Sequence, residues 1–475
     1  MRQTADPAPA ISLDRRHPAY REIYERFRQA ILSGSLGRGA RLPSARTLAA
    51  QLGLARGTVD AAYGLLANEG YVVTRGAAGT VVDPALDRRA LSALGAPPAA
   101  VPAAPATTIA AAGGLPLPFQ MGMPALDAFP RKAWSRLVAR HGRAAPEAAL
   151  PEPAGLPRLR REIATYLGVA RGVVTAPENI LVTGGFQGAL GLVALALLRP
   201  GERVWMEEPG YFMTRRGLLA AGARPVDVPV DADGLRVREG IRRAPRARLA
   251  VVTPSHQSPL GVTLSLARRL ELLSWARRSR GWILEDDYDG EFRYLGPPLP
   301  ALRSLDREGR VLYAGTFSKV LLPSLRLGYL VVPDGELARF REVAGHLAPA
   351  PASLLQSAVA DFMAEGQFAR HIRRMRALYA ERRAAVAAAL GERFGPRLRI
   401  ELQAGGMHLL AWPAGGRRDS ELVARAEAAG LAPSALSQMS ATTRQKPGLL
   451  LGFANTPAAR AGEDARRLAD ALGID

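Results

Sequence analysis

The chain has 475 residues, 48% of them apolar, which at about 100–200 residues per domain allows two to four domains with real cores and excludes disorder throughout. It has no cysteine, so disulfide scaffolds, zinc ribbons, iron–sulfur sites and thiol nucleophiles are excluded; its six histidines form no HExxH motif, and no metal site is expected. The formal net charge of +20 favours polyanion partners through counterion release, although a chain rich in Ala, Arg, Gly and Pro reaches the same balance without one. The longest apolar run, Gly188–Leu198, is too short for a bilayer, and the opening MRQTADPAPA lacks the apolar core of a secretion signal, so a cytoplasmic protein with no membrane partner is expected. Among 63 basic residues only Lys132, Lys319 and Lys446 are lysines, which leaves three candidates for any chemistry that needs a lysine amine.

The first predicted helix opens at Pro18, carries Tyr20, Ile23, Tyr24, Phe27 and Ile31 at helical spacing, and ends at Gly34 or Gly37. Pro43 and Ser44 start a second helix, with Ser44 as its cap and Leu48 and Leu52 facing inward; Gly53 makes the turn. A third helix begins near Arg56, buries Val59, Tyr63 and Leu66, and stops at Gly70. Two β-branched runs follow, Tyr71–Thr74 and Thr80–Val82, joined by Arg75-Gly76-Ala77-Ala78-Gly79. Three helices and a hairpin in that order form a winged helix-turn-helix, which places the start of the third helix in the major groove of DNA. Arg56 there can read guanine, Thr58 can reach a phosphate or a thymine methyl, and Arg46 and Arg75 lie on backbone-facing surfaces; taken singly, each arginine is equally a solvated surface charge.

The segment resembles the GntR-type winged-helix family over roughly residues 17–82, through RLPSARTLAAQLGLARGTVDAAYGLLANEGYV and GTVV. The resemblance implies that Arg46 and Arg56 contact operator DNA, that Thr58 adjoins them, and that Arg75-Gly76 forms the wing tip. Ala55 stands where a capping Ser or Thr is common, which removes a cap worth roughly 1 kcal/mol.

Residues 83–118 hold 12 Ala and 7 Pro, too few large apolar side chains for a core, and read as a semi-extended linker with room for a short helix around Leu86–Leu94. From about Phe119 onward, strand runs alternate with helical patterns: Ile180–Val182, Arg203–Met206, Leu249–Val252, Trp282–Leu284, Val311–Ala314 and Gly328–Val332. Such alternation predicts an α/β fold with a mainly parallel sheet and a ligand at the carboxyl ends of its strands.

Three clusters sit at those ends. Thr183-Gly184-Gly185-Phe186-Gln187-Gly188 precedes an apolar helix and is either a tight turn or a phosphate cradle. Glu285-Asp286-Asp287-Tyr288-Asp289 follows a strand; in extended chain Asp286 and Tyr288 share one side, where the carboxylate could keep a pyridinium nitrogen protonated and the phenol could bond a ring hydroxyl, with a magnesium site or helix cap as the alternative. Gly315-Thr316-Phe317-Ser318-Lys319, with Arg326 beyond it, offers an amine for a Schiff base and Thr316, Ser318 and Arg326 for a phosphate. Together they fit pyridoxal 5′-phosphate: the aldehyde at Lys319, the ring nitrogen at Asp286, the ring oxygen at Tyr288, and the phosphate at Gly185, Phe186, Gln187 and Arg326. Tyr211, in Glu207-Glu208-Pro209-Gly210-Tyr211, is a ring-stacking or a core tyrosine.

This region resembles the fold-type I, aspartate aminotransferase-like enzymes across nearly all of residues 119–475, through VTGGFQGAL, EEPGY, TPSHQSPLGVTLS, EDDYDGEFRY, GTFSKVLLPSLRLGY and GLLLGFAN. With the first module included, the chain resembles the MocR/GabR-type regulators. The resemblance implies residues 1–82 as the DNA-binding domain, 83–118 as linker, and 119–475 as a pyridoxal-phosphate-binding domain with a smaller α/β subdomain from about 345. It also implies a homodimer, with each winged helix swapped toward its partner, and an amino compound or pyridoxal phosphate as effector, from control of cofactor biosynthesis to amine catabolism.

Two departures matter. Ser258-Pro259-Leu260-Gly261 stands where such enzymes carry Asn-Pro-x-Gly, so Tyr288, His256 or Gln257 must serve the ring oxygen. For the arginine that clamps a substrate carboxylate, Arg444 is the nearest candidate, ahead of the strand Leu449-Leu450-Leu451; otherwise the effector's acid group is held elsewhere or the effector is not a simple α-amino acid, and His256 and Arg444 are the expected effector contacts. The expected function is regulation through Lys319. An active aminotransferase with an accessory DNA-binding domain, and a DNA-binding protein with a mere dimerisation scaffold, are the competing readings.

Overall fold

The computed structural model describes residues 18–76, 79–86, 115–144, 152–296, 299–347, 350–443 and 445–473. The chain divides into two units, residues 1–113 and 114–475. Most of the predicted linker, residues 87–114, lies outside the described residues, as does nearly all of its proposed short helix.

In the first unit, helix α1 (Ala19–Ser33) buries Ile23, Phe27, Ala30 and Ile31 along one face and ends at Gly34, whose φ of 83° suits a residue without a Cβ. Tyr20, expected on that face, stays exposed, and Tyr24 lies at its edge, where its hydroxyl donates to Glu69 at 2.6 Å. Helix α2 (Ala45–Leu52) is capped by Ser44, whose Oγ accepts from the Thr47 amide at 3.1 Å. Helix α3 (Arg56–Asn68) starts at Ala55 with no side-chain cap. Its Tyr63 meets Phe27 edge to face at 5.5 Å and donates to the Pro43 carbonyl at 3.0 Å, which fixes α3 against α1 and the start of α2. Strands β1 (Val72–Thr74) and β2 (Thr80–Val82) form the antiparallel wing. Residues 39–42 add an unforeseen third edge: the Gly39 and Leu42 amides donate to Val82 and Thr80 carbonyls, and Arg41 bridges Val81.

The second unit is built on an eight-stranded sheet. Its strands are β3 (Ile180–Thr183), β4 (Arg203–Glu208), β5 (Arg224–Asp231), β6 (Gly234–Leu235), β7 (Leu249–Val252), β8 (Trp282–Asp287), β9 (Val311–Thr316) and β10 (Gly328–Val331), in the order β3-β10-β9-β8-β7-β4-β5-β6. The pairs from β9 to β5 are parallel; β10 runs against both of its neighbours and β6 against β5. Helices cover both faces, with Leu181, Leu284 and Leu312 in one core and Tyr313, Tyr329 and Val182 in the other. A four-stranded antiparallel sheet follows, from β11 (Leu398–Glu401), β12 (His408–Pro413), β13 (Ser434–Ala435) and β14 (Leu449–Gly452), in the order β11-β12-β14-β13. Among the described residues, no helix is long and apolar enough to cross a membrane.

Strands β8 and β9 run further than predicted, through Asp287 and Thr316. The acidic cluster therefore begins inside the sheet, and strand alternation decides which carboxylate faces which side.

Candidate functional site

The carboxyl ends of β3, β8 and β9 and the amino end of β10 meet at one edge, where Gly328 pairs with both Thr183 and Thr316. A Cβ on Gly328 would lie 2.8 Å from the Gly315 carbonyl and 2.9 Å from the Gly185 Cα, so this glycine lets the Gly185–Leu197 helix settle directly onto the sheet. That helix has no side-chain cap, and its first amides, at Gly185, Phe186 and Gln187, are free to meet an anion. The Gln187 Nε2 is buried there without a partner among the described residues.

Across β10, the Ser318 amide donates to Thr316 Oγ1 at 3.1 Å and shapes the turn that carries Lys319 inward. Lys319 Nζ donates to the Gly122 carbonyl at 2.9 Å. Burial pushes the Lys319 amine below its ordinary range, with Asp289 and Asp286 opposing. Arg326 is exposed on the loop into β10, in left-handed backbone at φ 48°.

Asp286 is 6% exposed and receives no hydrogen bond among the described residues. Burial holds it well above the usual carboxylate range, reinforced by Asp287, Asp289 and Glu207 and relieved by Lys319. Its neighbours in β8 face the other way and have partners of their own: Glu285 accepts from the Leu302 and Arg303 amides at 2.8 Å each, and one oxygen of Asp287 pairs with Arg171 and accepts from Tyr313 at 2.5 Å. Tyr288 lies on the Asp286 side, its hydroxyl 2.9 Å from His256 Nδ1. Tyr211 is 37% exposed; burial raises its phenol, Asp286 adds to the rise and Arg326 opposes it, which puts all three within electrostatic reach.

Two of the three candidates for the ring oxygen are already committed. Gln257 Nε2 donates to Glu207, Pro209 and Ser258, and its Oε1 accepts from the Leu260 amide. His256 stands behind Tyr288, bonded to it and to Asp289, rather than lining an open surface as an effector contact would. Arg444 lies outside the described residues.

Several contributors escaped sequence reasoning. Gly122 has φ of 70°, and a Cβ there would collide with Lys319 Nζ; a lone glycine between Met121 and Met123 gives no warning of that. Glu208 accepts from the amides of Ala441, Thr442 and Thr443 at 2.9, 3.1 and 3.0 Å, and the Gly210 amide donates to the Met439 carbonyl at 2.9 Å, which stitches the Tyr211 loop to the segment ahead of β14. The doubled acid in EEPGY was the available signal.

In the first unit, Arg46, Arg56, Arg75 and Gly76 are exposed and Thr58 is half-buried. Arg56 sits at the first turn of α3, 3.3 Å from Asp60. Arg41, not predicted, lies against the wing, 3.2 Å from where a Cβ of Gly79 would stand.

A depressed amine, an unmatched buried carboxylate and a helix start with free amides fit the aldehyde, ring nitrogen and phosphate of pyridoxal 5′-phosphate. Comparison with known proteins agrees. The family "Aminotransferase class I and II" matches residues 123–427, and "Bacterial regulatory proteins, gntR family" matches residues 19–82. The probable rhizopine catabolism regulatory protein MocR of Rhizobium meliloti is 40% identical over 92% of this chain and 90% of its own. The pyridoxine biosynthesis transcriptional regulator PdxR of Corynebacterium glutamicum is 34% identical over 91% of both. The crystal structure of LysN, an alpha-aminoadipate aminotransferase from Thermus thermophilus, superposes with a TM-score of 0.68 at 29% identity, over 75% of this chain and 92% of that one. Relatives that run through both units, and not only through the larger one, settle the matter: the chain belongs to the MocR/GabR-type transcription regulators, DNA-binding proteins whose aminotransferase-like domain takes pyridoxal 5′-phosphate as its cofactor.

Proposed function

We propose that the protein senses an amino compound, or pyridoxal phosphate itself, at Lys319 and transmits its state to operator DNA. The reading assigns residues 1–82 to DNA binding, 83–118 to a tether and 119–475 to the cofactor domain, with the smaller subdomain from about 345. One observation carries it: the Lys319 amine, held by the Gly122 carbonyl at 2.9 Å, and the unmatched Asp286 carboxyl lie close enough to shift each other's ionisation.

When bound, the cofactor supplies an aldehyde that captures primary amines. Lys319, its amine depressed by burial, is the residue that engages this aldehyde. Asp286 would keep the ring nitrogen protonated, a pairing that would relieve the cost of its own burial. Tyr288 would serve the ring oxygen and Tyr211 the ring face. The amides of Gly185, Phe186 and Gln187, with Thr316, Ser318 and Arg326, hold the phosphate; Arg326 adds a full charge that the helix end lacks.

On the DNA side, Arg56 and Thr58 meet base edges and phosphates, while Arg46, Arg75 and Gly76 rest on the backbone. The protein acts as a homodimer in the cytoplasm, with each winged helix swapped toward its partner. Two tethered modules gain affinity only when the dimer spaces them to match two half-sites. An effector acts only through the free-energy difference between two such spacings. The names of the relatives, in rhizopine catabolism and pyridoxine biosynthesis, point to an amine or the cofactor as that effector.

The test is the visible spectrum of the full chain with pyridoxal phosphate and a panel of amines, for wild type and Lys319→Ala, alongside operator binding. A band seen only in wild type, changed by one amine together with DNA affinity, supports the sensor. Steady formation of pyridoxamine phosphate, with turnover on a keto acid, would make the protein an aminotransferase, a reading favoured by the gathering of Lys319, Asp286 and Tyr288 in one site. No band at all would leave only a DNA-binding scaffold.

A further inference from the structure

Ser258 stands where such enzymes carry the asparagine that donates to the ring oxygen, which leaves Tyr288 as the candidate donor, and a phenol can donate or accept. What decides between the two lies behind it. His256 Nδ1 is 2.9 Å from the Tyr288 hydroxyl and 3.1 Å from Asp289 Oδ2. His256 is 5% exposed and Asp289 2%. The ring is fixed in place: a Cβ on Gly261 would lie 2.9 Å from its Nε2, and one on Gly406 would collide with Cε1.

A carboxylate only accepts, so the Nδ1 beside Asp289 carries a proton; a bare lone pair there would face negative charge. Nε2 is buried with no partner among the described residues, and a proton on it would find no acceptor. The guanidinium groups that line the small cavity behind the ring, Arg171 and Arg293, only donate. His408, whose ring is 5.7 Å away, donates from Nε2 to the Pro259 carbonyl; burial, then His256, pushes it down to about 4, so it adds no charge. The His256 Nδ1–H therefore donates to Asp289 and to the Tyr288 oxygen. Ser258 also hydrogen-bonds the phenol and lowers it, the direction given by a donor to its oxygen, so the Tyr288 proton is used neither on His256 nor on Ser258 and is left for the site. Burial, then Asp289 and Asp286, holds that phenol well above its usual range, so the proton stays on it.

We propose that His256, locked by Asp289, is a positioning residue that makes Tyr288 an obligate hydrogen-bond donor to the cofactor's ring oxygen, in place of the missing asparagine. The proposal rests on the reading that pyridoxal phosphate occupies this site. Donation to the ring oxygen favours its anionic form. Losing it moves the pH midpoint of the bound cofactor's visible band upward by about one pH unit, the shift that a hydrogen bond of ordinary strength produces.

The experiment titrates that band in the full chain. Tyr288→Phe, His256→Ala and Asp289→Ala are each expected to raise the midpoint. The Tyr288→Phe/His256→Ala double variant goes no further than Tyr288→Phe, and His256→Asn, whose amide can still donate, recovers part of the shift. An unchanged midpoint in His256→Ala, or shifts that add in the double variant, overturns the proposal. The ring nitrogen shifts of His256 in cofactor-free protein give an independent answer: a proton on Nε2 rather than Nδ1 also overturns it. A wild-type protein that gives no visible band with pyridoxal phosphate overturns the underlying cofactor reading instead, and the nitrogen shifts still report the tautomer.

Discussion

Lys319 donates its Nζ to the carbonyl of Gly122, a residue 197 positions earlier in the chain, at 2.9 Å. The contact explains a constraint that the glycine alone does not advertise, because both its φ of 70° and the approach of the amine exclude a side chain there.

Gly122→Ala is accordingly expected to cost about 1–3 kcal/mol of stability from backbone strain. It should also weaken pyridoxal phosphate binding on the order of tenfold by displacing Nζ. Denaturant unfolding and a spectroscopic cofactor titration measure the two. Wild-type cofactor affinity in the variant would show that the Lys319 position tolerates the intrusion.

Asp286→Asn should act with opposite signs on the two forms. Without cofactor, the variant relieves an unmatched buried carboxyl and unfolds about 1–3 kcal/mol later than wild type. With cofactor, it loses the partner of the ring nitrogen and binds at least about tenfold more weakly. Thermal melts of apo and loaded protein would show the crossing; a variant less stable in both forms would count against this assignment.

Glu207 accepts from the Thr253 amide and hydroxyl and from Gln257, yet burial outweighs those bonds and raises it to about 7 from an ordinary 4.5. Between those values the folded chain holds a proton that the unfolded chain has released. The contribution is complete below pH 4.5 and is lost as pH rises through 7, on the order of 3 kcal/mol at most. Glu207→Gln should lessen this decline, leaving the shares due to Glu285 and Glu291, which burial also raises to about 7, and to Asp286, which it raises as well. Parallel stability–pH curves for variant and wild type would refute the role of Glu207.

On the first unit, Arg56→Ala is expected to weaken operator binding by about 5- to 150-fold and to relax preference at one base position. Arg75→Ala should weaken all sequences alike and reduce the salt slope of the binding constant by about 1. Binding curves at several salt concentrations, on operator and unrelated DNA, separate base reading from phosphate contact; an unchanged slope in Arg75→Ala would remove the wing tip from the interface.

The helices, the wing and the strand ends were legible because periodicity, caps and glycines are local signals. Ser44 caps α2, Gly34 ends α1, and β2 spans Thr80–Val82 as read. Tyr20 was not, because helical spacing cannot tell the edge of an apolar face from its centre. The run Glu285–Asp289 shows the boundary well. Alternation separates Asp286 and Tyr288 from Glu285 and Asp287, but only tertiary contacts reveal that Asp287 meets Arg171 and Tyr313 and that Glu285 accepts from two backbone amides. His256 was noticed, but its place behind Tyr288 depends on Gly406, 150 residues further on, and no local pattern encodes that packing.

The stitching between Glu208 and the amides of residues 441–443 has a mechanical meaning. Tyr211, three residues beyond Glu208, and the stretch that leads into β14 form a single hydrogen-bonded yoke. A ligand that tilts Tyr211 must either stretch those bonds or drag the small antiparallel sheet along with it. The tyrosine ring is thereby geared to the far subdomain through one carboxylate and a row of backbone amides, which no substitution in residues 441–443 other than proline removes.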